Sequence, residues 1–327
     1  MRIIRFFIYL FGILTFGATV LGYFGTIHPA FDSLGHFRIQ LAALTALFGL
    51  LTMLIGGMLG GAALLVTGAL VLWTTLTPVS RVASATAIAP TGAVYRLLQS
   101  NVRFDNRTPD EFIRLVARTR PDVMTLQEIP LIWQQKLESV RHLYPYQLVC
   151  PAIDRVGPSA IISRRPFVEG SVGQCLKDSN IAVQAISFGG QPVMVASLHL
   201  HWPWPKRQPE ELADILPALS QLKTTGGDTL MAGDLNAATW SHTARTIADV
   251  TATDQLHYAG GSWLPLELPS TWTKYIGLPI DNVFFNAGIE LLSATRQSGI
   301  GSDHLPILIE FSIPRIDTAA YVEQAAS

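Results

Sequence analysis

Charge is what the N-terminal part of this 327-residue chain has least of: residues 1–78 carry only Arg2, Arg5, Asp32 and Arg38. The other 20 basic and 23 acidic groups lie in the remainder, which therefore has a formal charge of about −3. This imbalance explains how a chain that is 49% hydrophobic and has a mean hydropathy of +0.33 reaches only 14% charged residues. The first part has the composition of a membrane segment and the second that of a soluble domain. A basic surplus is missing too, so bulk charge gives no support to nonspecific duplex binding. Cysteine is scarce: Cys150 and Cys175 are the two present. Their number and spacing exclude a multi-cysteine zinc site and leave open either a disulfide or two unrelated thiols. No internal repeat or low-complexity tract is visible.

Three apolar runs fill the first part: Phe6–Tyr23, Leu41–Leu59 and the shorter Ala62–Leu76. A spanning helix needs about 20 largely apolar residues. The runs therefore predict an anchor of three transmembrane helices over residues 1–78, with Gly56, Gly57, Gly60 and Gly61 forming a tight hairpin. A cleaved signal peptide is the rival for the first run, opposed by the two runs that follow it. Arg2 and Arg5 precede the first span, which favours a cytoplasmic N-terminus. Three crossings then leave the soluble part outside, periplasmic if the membrane is a bacterial inner membrane, although Arg38 and Arg81 would lie on that outer side.

Residues 79–92 are small and nearly uncharged and read as a linker; the soluble domain spans 93–315 and a tail 316–327. "TPDEFIRLVARTR" reads as a helix, with Thr108 as N-cap, a proline at the first position and basic residues in the last turn. "PEELADILPALSQLK" is a second helix. Strands are read in "VYRLLQSNV", "PDVMTLQEI", "SAIISRRPF", "VQAISF", "PVMVASLHLHW", "DTLMAGDLN", "DNVFFN" and "HLPILIEFSI". Helices and strands alternate irregularly, which favours a mixed α/β sheet assembly over a uniform βαβ repeat.

The informative regularity is where the polar residues fall. Asn101, Glu128, His199, Asp234 with Asn236, Asp281 and Asp303 with His304 each sit at the edge of an expected core strand. One such residue is ordinary turn chemistry; a series of metal-ligand and acid–base types is a constellation. The ordered series "NVRFDN", "PDVMTLQEI", "SAIISRRPF", "ASLHLHW", "GDLNA", "PIDNVFF", "GSDHLPI" resembles the endonuclease/exonuclease/phosphatase superfamily over about residues 93–313. That resemblance implies a DNase I-like four-layer α/β sandwich, with two mixed sheets flanked by helices. It also implies divalent-metal-dependent hydrolysis of a phosphodiester or phosphomonoester.

By the same resemblance, Glu128 is the principal ligand of Mg²⁺ (or Mn²⁺), helped by Asn101, with Asp303 completing that site or serving a second metal. His304 contacts the scissile phosphate, and Asp281 fixes its tautomer. His199 donates to a phosphoryl oxygen or protonates the leaving group, with His201 as the alternative holder of that role. Asp234 orients or deprotonates the attacking water, and Asn236 shares the phosphoryl oxygens. On a continued strand, Asp234 and Asn236 would face one pocket with Leu235 turned to the core. Two departures stand out: Asn282 follows Asp281 where His or Tyr is common, and Arg103 lies where many members carry an acid.

"HWPWPKRQPEE" places Trp202 and Trp204 next to Lys206 and Arg207. These side chains suit a lipid headgroup, a stacked base or the bilayer interface, and equally a proline-stiffened loop packed on the core. Arg103 is a candidate for steering an anionic substrate or a plain surface residue. The expected partners are a phosphate-ester substrate, nucleic acid or lipid headgroup, and the lipid bilayer; the sequence identifies no protein partner. The rival from another class is a catalytically silent, membrane-anchored binding or scaffold protein that kept the fold.

Overall fold

The computed structural model describes residues 2–77, 92–152, 155–176, 180–223 and 227–314. Apart from Gly92, the expected linker and tail lie outside them. Four helices come first: α1 (Arg2–Leu21), α2 (Pro29–His36), α3 (Arg38–Leu54) and α4 (Met58–Leu76). α1 and α4 are long and apolar enough to cross a membrane, while α2 and α3 qualify only as a pair bent by 72°. Candidate spans thus number two, or three if the bent pair counts as one. The expected second run was drawn too far along the chain. α3 stops at Leu54, the turn is carried by Gly56 at φ 99°, and Leu59 to Gly61 belong to α4. Gly61 serves close packing instead of the hairpin: a Cβ there would lie 2.7 Å from the Gly49 carbonyl oxygen of α3.

The soluble part folds as two mixed six-stranded sheets. The first contains β1 (Val94–Asn101), β2 (Val123–Gln127), β3 (Tyr146–Val149), β4 (Ala160–Ser163), β11 (Glu290–Arg296) and β12 (Ile307–Ser312) in the order β11-β12-β1-β2-β4-β3. The second contains β5 (Gln174–Leu176), β6 (Ile181–Phe188), β7 (Gln191–His199), β8 (Asp228–Asp234), β9 (Asp254–Gln255) and β10 (Asp281–Phe285) in the order β5-β6-β7-β8-β10-β9. Among the described residues each sheet has one parallel pair, β1–β2 and β7–β8, with Asn101 level with Gln127 and His199 level with Asp234.

The strands read as nearly continuous apolar runs because both of their faces are buried. Leu97, Val123, Val195, Leu230 and Val283 point between the sheets. Leu98, Met124 and Ile162 face the outer helices α5 (Pro109–Thr119) and α6 (Leu131–Leu137). On the other side Leu198, Met231 and Phe284 face α7 (Gln208–Leu222) and α8 (His242–Thr251). α5 presents Phe112, Leu115, Val116 and Thr119 inward, the spacing of one helical face. Thr108 precedes α5 as expected but makes no capping bond, because its hydroxyl is turned to Asn106 Oδ1 and the Ile300 carbonyl. Cys150 and Cys175 form a disulfide, settling the two readings of that pair; it ties the end of β3 to β5 and so joins the two sheets.

Two of the four charges in residues 1–78 are spent on docking to this domain. Asp32 Oδ1 accepts the His242 backbone N–H at 2.7 Å, and Oδ2 lies 3.5 Å from the Thr243 hydroxyl, at the electropositive N-terminus of α8. The Arg38 guanidinium sits 4.1 Å from the centre of the Tyr23 ring and 5.3 Å from that of Trp240. Trp240 Nε1 donates to the Gly35 carbonyl, Gln40 Nε2 to that of Ile276, and His257 Nε2 lies 3.3 Å from that of Thr75. Arg38 is thus held in a tertiary contact between the N-terminal helices and the α/β domain.

Replacing both cysteines by serine should lower stability by about 3 kcal/mol, given the 25-residue separation they close, seen as a lower thermal midpoint that reductant no longer shifts. Asp32→Ala should cost about 1–2 kcal/mol by the same measurement, because it leaves the His242 N–H in the first turn of α8 without its carboxylate acceptor, while Ser241 still caps the helix.

Candidate active site

The layer between the sheets changes character along every central strand. Side chains two apart share a face, so β1 presents Leu97, Gln99 and then Asn101, and β2 presents Val123, Thr125 and then Gln127. β7 presents Val195, Ser197 and His199, and β8 presents Leu230, Ala232 and Asp234. Apolar packing at one end becomes a polar edge at the other, and the two edges meet. Asn101 Nδ2 donates to Asp234 Oδ2 across the sheets at 3.0 Å and to Glu128 Oε1 at 2.9 Å.

Asp234 Oδ2 is also 3.4 Å from His304 Nε2 and 3.8 Å from His199 Nε2. His304 Nδ1 lies 2.9 Å from Asp281 Oδ2, the partner expected to fix its tautomer. Glu128 follows β2 in the left-handed region at φ 61°, which swings its carboxylate out of the strand's alternation. There its Oε2 accepts the Phe104 N–H at 3.0 Å and its Oε1 lies 4.0 Å from His199 Nε2. Gly233 admits the neighbouring strand, since any side chain there would collide with the Leu198 carbonyl.

Burial acts to lower the His304 imidazole, but the Asp281 and Asp234 carboxylates outweigh it and raise it to about 10. The Asp234 carboxyl is pushed up, chiefly by burial, against the pull of His304. Asp234, Asp281 and His304 bring ligand-type atoms within 4.8 Å of one another. The trio is ion-paired through His304, with Asp281 on Nδ1 and Asp234 beside Nε2. Hard oxygen donors suited to Mg²⁺ stand on the Glu128 side, where the carboxylate is part-exposed and lines a cavity of about 270 Å³. Asn101 reaches it with Nδ2 here, so its amide would have to turn over to offer oxygen to a cation. Asp303 Oδ2 accepts from Trp263 Nε1 at 3.1 Å and lies 3.4 Å from Arg103 Nη1, which places it on the Arg103 side of the site.

The remaining candidates divide. Asn236 reaches the cavity, but not by strand alternation. β8 ends at Asp234, and Asn236 turns left-handed at φ 49°, with its N–H on Asp234 Oδ1 and its Nδ2 on the Leu200 carbonyl. His201 lies beyond the end of β7 with its ring against Glu211 Oε2 at 3.1 Å, so it lines the mouth while His199 faces Asp234. Trp202 and Lys206 line the same cavity. Arg103 is held by ion pairs to Asp105 and Asp303.

The sequence reading missed the supports beneath. Gln99 Nε2 donates to Asp281 Oδ1 and to Gln127 Oε1, and Gln127 Nε2 donates to the Ser197 hydroxyl. Ser302 Oγ donates to the Asn101 carbonyl and accepts the His304 N–H. The signal was present: a glutamine two residues before Asn101 and another one before Glu128, both inside apolar strands.

A model of the endonuclease/exonuclease/phosphatase family matches residues 98–304, from β1 to His304 itself. The chain belongs to that family. Among solved structures, an endonuclease/exonuclease/phosphatase from Bacteroides vulgatus aligns with a TM-score of 0.56 and 14% identity, over 68% of this chain and 99% of that one. The human Nocturnin catalytic domain, solved with a bound sulfate anion, aligns at 0.54 and 16%, over 69% and 96%. D. rerio TDP2 complexed with single strand DNA product aligns at 0.52 and 18%, over 67% and 99%. At these identities the likeness is one of fold. A UPF0294 protein of Vibrio vulnificus strain CMCP6 is 30% identical over 141 residues, 42% of this chain and 46% of that protein. The chain thus matches less than half the length of this curated relative.

Gln99→Leu should lower stability by about 1–3 kcal/mol, since it removes the buried donor to Asp281 and Gln127. The change would be read as a lower denaturation midpoint with an unchanged m-value.

Proposed function

We propose that the protein is a membrane-anchored, Mg²⁺-dependent hydrolase of phosphate esters, with Mn²⁺ as the alternative metal. The observation that carries this reading is the grouping of a buried carboxylate, Asp234, a buried histidine, His304, and, bridged to Asp234 through Asn101, a part-exposed oxygen donor, Glu128, that lines the cavity. Family membership supports phosphoester hydrolysis as the reaction class.

Asp234 takes a proton from the attacking water, a task suited to a carboxyl raised by burial. His304, kept protonated by Asp281, donates to a phosphoryl oxygen as negative charge gathers there. Asn236 has one amide hydrogen left for a second phosphoryl oxygen after its bond to Leu200. As the bond from phosphorus to the leaving oxygen breaks, His199 returns a proton to that oxygen. Glu128, with Asn101 and Asp303, would hold the Mg²⁺, which supplies charge neutralisation at the phosphate. Gln99 keeps Asp281 in place from below.

The apolar N-terminal helices support a multi-pass membrane location. A disulfide belongs to an oxidising compartment, which supports a periplasmic domain in a bacterial inner membrane with Arg2 and Arg5 on the cytoplasmic side.

The test uses the full-length protein in nanodiscs, with bis(p-nitrophenyl) phosphate, DNA and RNA as substrates. EDTA should abolish turnover and Mg²⁺ restore it, while His304→Ala and Asp281→Asn lower kcat by about 10²–10⁴-fold. His201→Ala should stay within about threefold of wild type, because its ring is directed to Glu211. Absence of metal-dependent, His304-dependent turnover would leave the silent scaffold as the better reading.

A further inference from the structure

Among the described residues, the stretch around residues 266–276 of the α/β domain gathers five exposed apolar or aromatic side chains. Leu266, Leu268, Trp272, Tyr275 and Ile276 all face outward, with Tyr275 72% and Trp272 50% exposed, around the short helix α9 (Thr273–Ile276). Its place in the fold says what covers it. The Ile276 carbonyl accepts a hydrogen bond from Gln40 Nε2 in the first turn of α3, at the end of an apolar helix. α1, with 20 residues, is about 30 Å long and matches a hydrocarbon core, so the domain-side helix ends lie at the bilayer surface. Tryptophan and tyrosine are the side chains that settle at that depth. Lys274, stacked 4.6 Å from the Tyr275 ring centre, adds a cation at the level of lipid phosphates.

The same stretch is wired into the catalytic edge. Trp263 pairs in bridges both with Leu278, just after α9, and with His304. Its indole donates to Asp303 and packs 6.3 Å from the Trp202 ring. Trp202 in turn sits edge-on to His36 of α2 at 4.8 Å and lines the cavity with Lys206, Glu128 and His199. The cavity wall is therefore continuous with the layer of the protein that meets the bilayer.

We infer that residues 264–278 form a bilayer-docking face, and that the phosphate ester cleaved at this site belongs to a membrane lipid presented from the same bilayer. Trp272, Tyr275 and Ile276 hold the catalytic edge against the interface. The lipid headgroup enters past Trp202 and Lys206 without leaving the membrane. Hydrolysis then adds water across the phosphorus–oxygen bond and returns two products, one retained in the bilayer by its acyl chains. The inference rests on the phosphoesterase reading for its chemistry and on the anchor for its geometry.

Two measurements on the full-length protein test it. In nanodiscs containing brominated phosphatidylcholine, Trp272→Phe should lose a resolvable share of the tryptophan quenching shown by wild type. Equal fractional quenching would overturn the docking face, whatever the activity. In the second, release of headgroup or phosphate is followed in nanodiscs of phosphatidylethanolamine, phosphatidylglycerol, phosphatidic acid or sphingomyelin, beside soluble bis(p-nitrophenyl) phosphate. The triple variant Trp272→Ser, Tyr275→Ser, Ile276→Ser should lower the best lipid rate at least about tenfold and leave the soluble ester within about twofold. Equal loss on both substrates, or wild-type turnover of the soluble ester or DNA with none on any lipid, would overturn the lipid inference. A wild type inert on every ester would instead overturn the phosphoesterase reading, and quenching would still decide the docking face.

Discussion

The hydrogen bond from Asn101 to Asp234 is the point on which the site depends. It is buried, it joins the ends of two parallel strand pairs from different sheets, and it fixes how far one sheet stands along the other. Because strand side chains alternate with period two, a slip of one residue in either sheet would turn Gln99 and Asn101, or Ser197 and His199, to the outer helices. Apolar packing at Leu97, Val195 and Leu230 holds that register from below, and the Gln99–Gln127–Ser197 chain holds it just beneath the polar edge. Order at the site is thus a property of sheet pairing, and the loops add aim.

Electrostatics at this edge would make little sense as structure alone. Asp234 and Asp281 are both removed from water beside one histidine, an arrangement that burial opposes at each carboxylate. Left-handed backbone at Arg103, Glu128 and Asn236, each just past a strand end, adds local strain at the same place. Folds tolerate such groupings where a site has to be pre-organised, and here the strain and the buried charge share one edge.

Much of this was legible in the residues. The polar positions at the strand ends were readable because each interrupts an apolar run, and their order along the chain carried the family resemblance. The α5 and α7 helices announced themselves by proline, acids and period. What stayed hidden had physical reasons. Gln99 and Gln127 look like tolerated polar residues until a second sheet is laid over them. β3, β5 and β9 are too short to show alternation. The pairing of Cys150 with Cys175 depends on how two sheets stack, which spacing does not encode. Asn236 reaches the cavity as expected, but by a left-handed turn and not by continued strand alternation, because β8 ends at Asp234. Asp32 and Arg38 read as oddities in an apolar region, since their partners lie some 200 residues away at His242 and Trp240.

The docking of α2 and of Arg38 fastens the N-terminal helices to the α/β domain. A tether of small residues lets a domain wander over a hemisphere; a carboxylate accepting at the first turn of α8, an arginine on Trp240 and a histidine edge on Trp202 do not. The helices work as a mount. A fragment cut free after residue 92 would therefore carry a raw face, with the Trp202 and Trp240 rings and the His242 N–H at the start of α8 open to water. Its behaviour in a tube would report that exposed face as much as the intact protein.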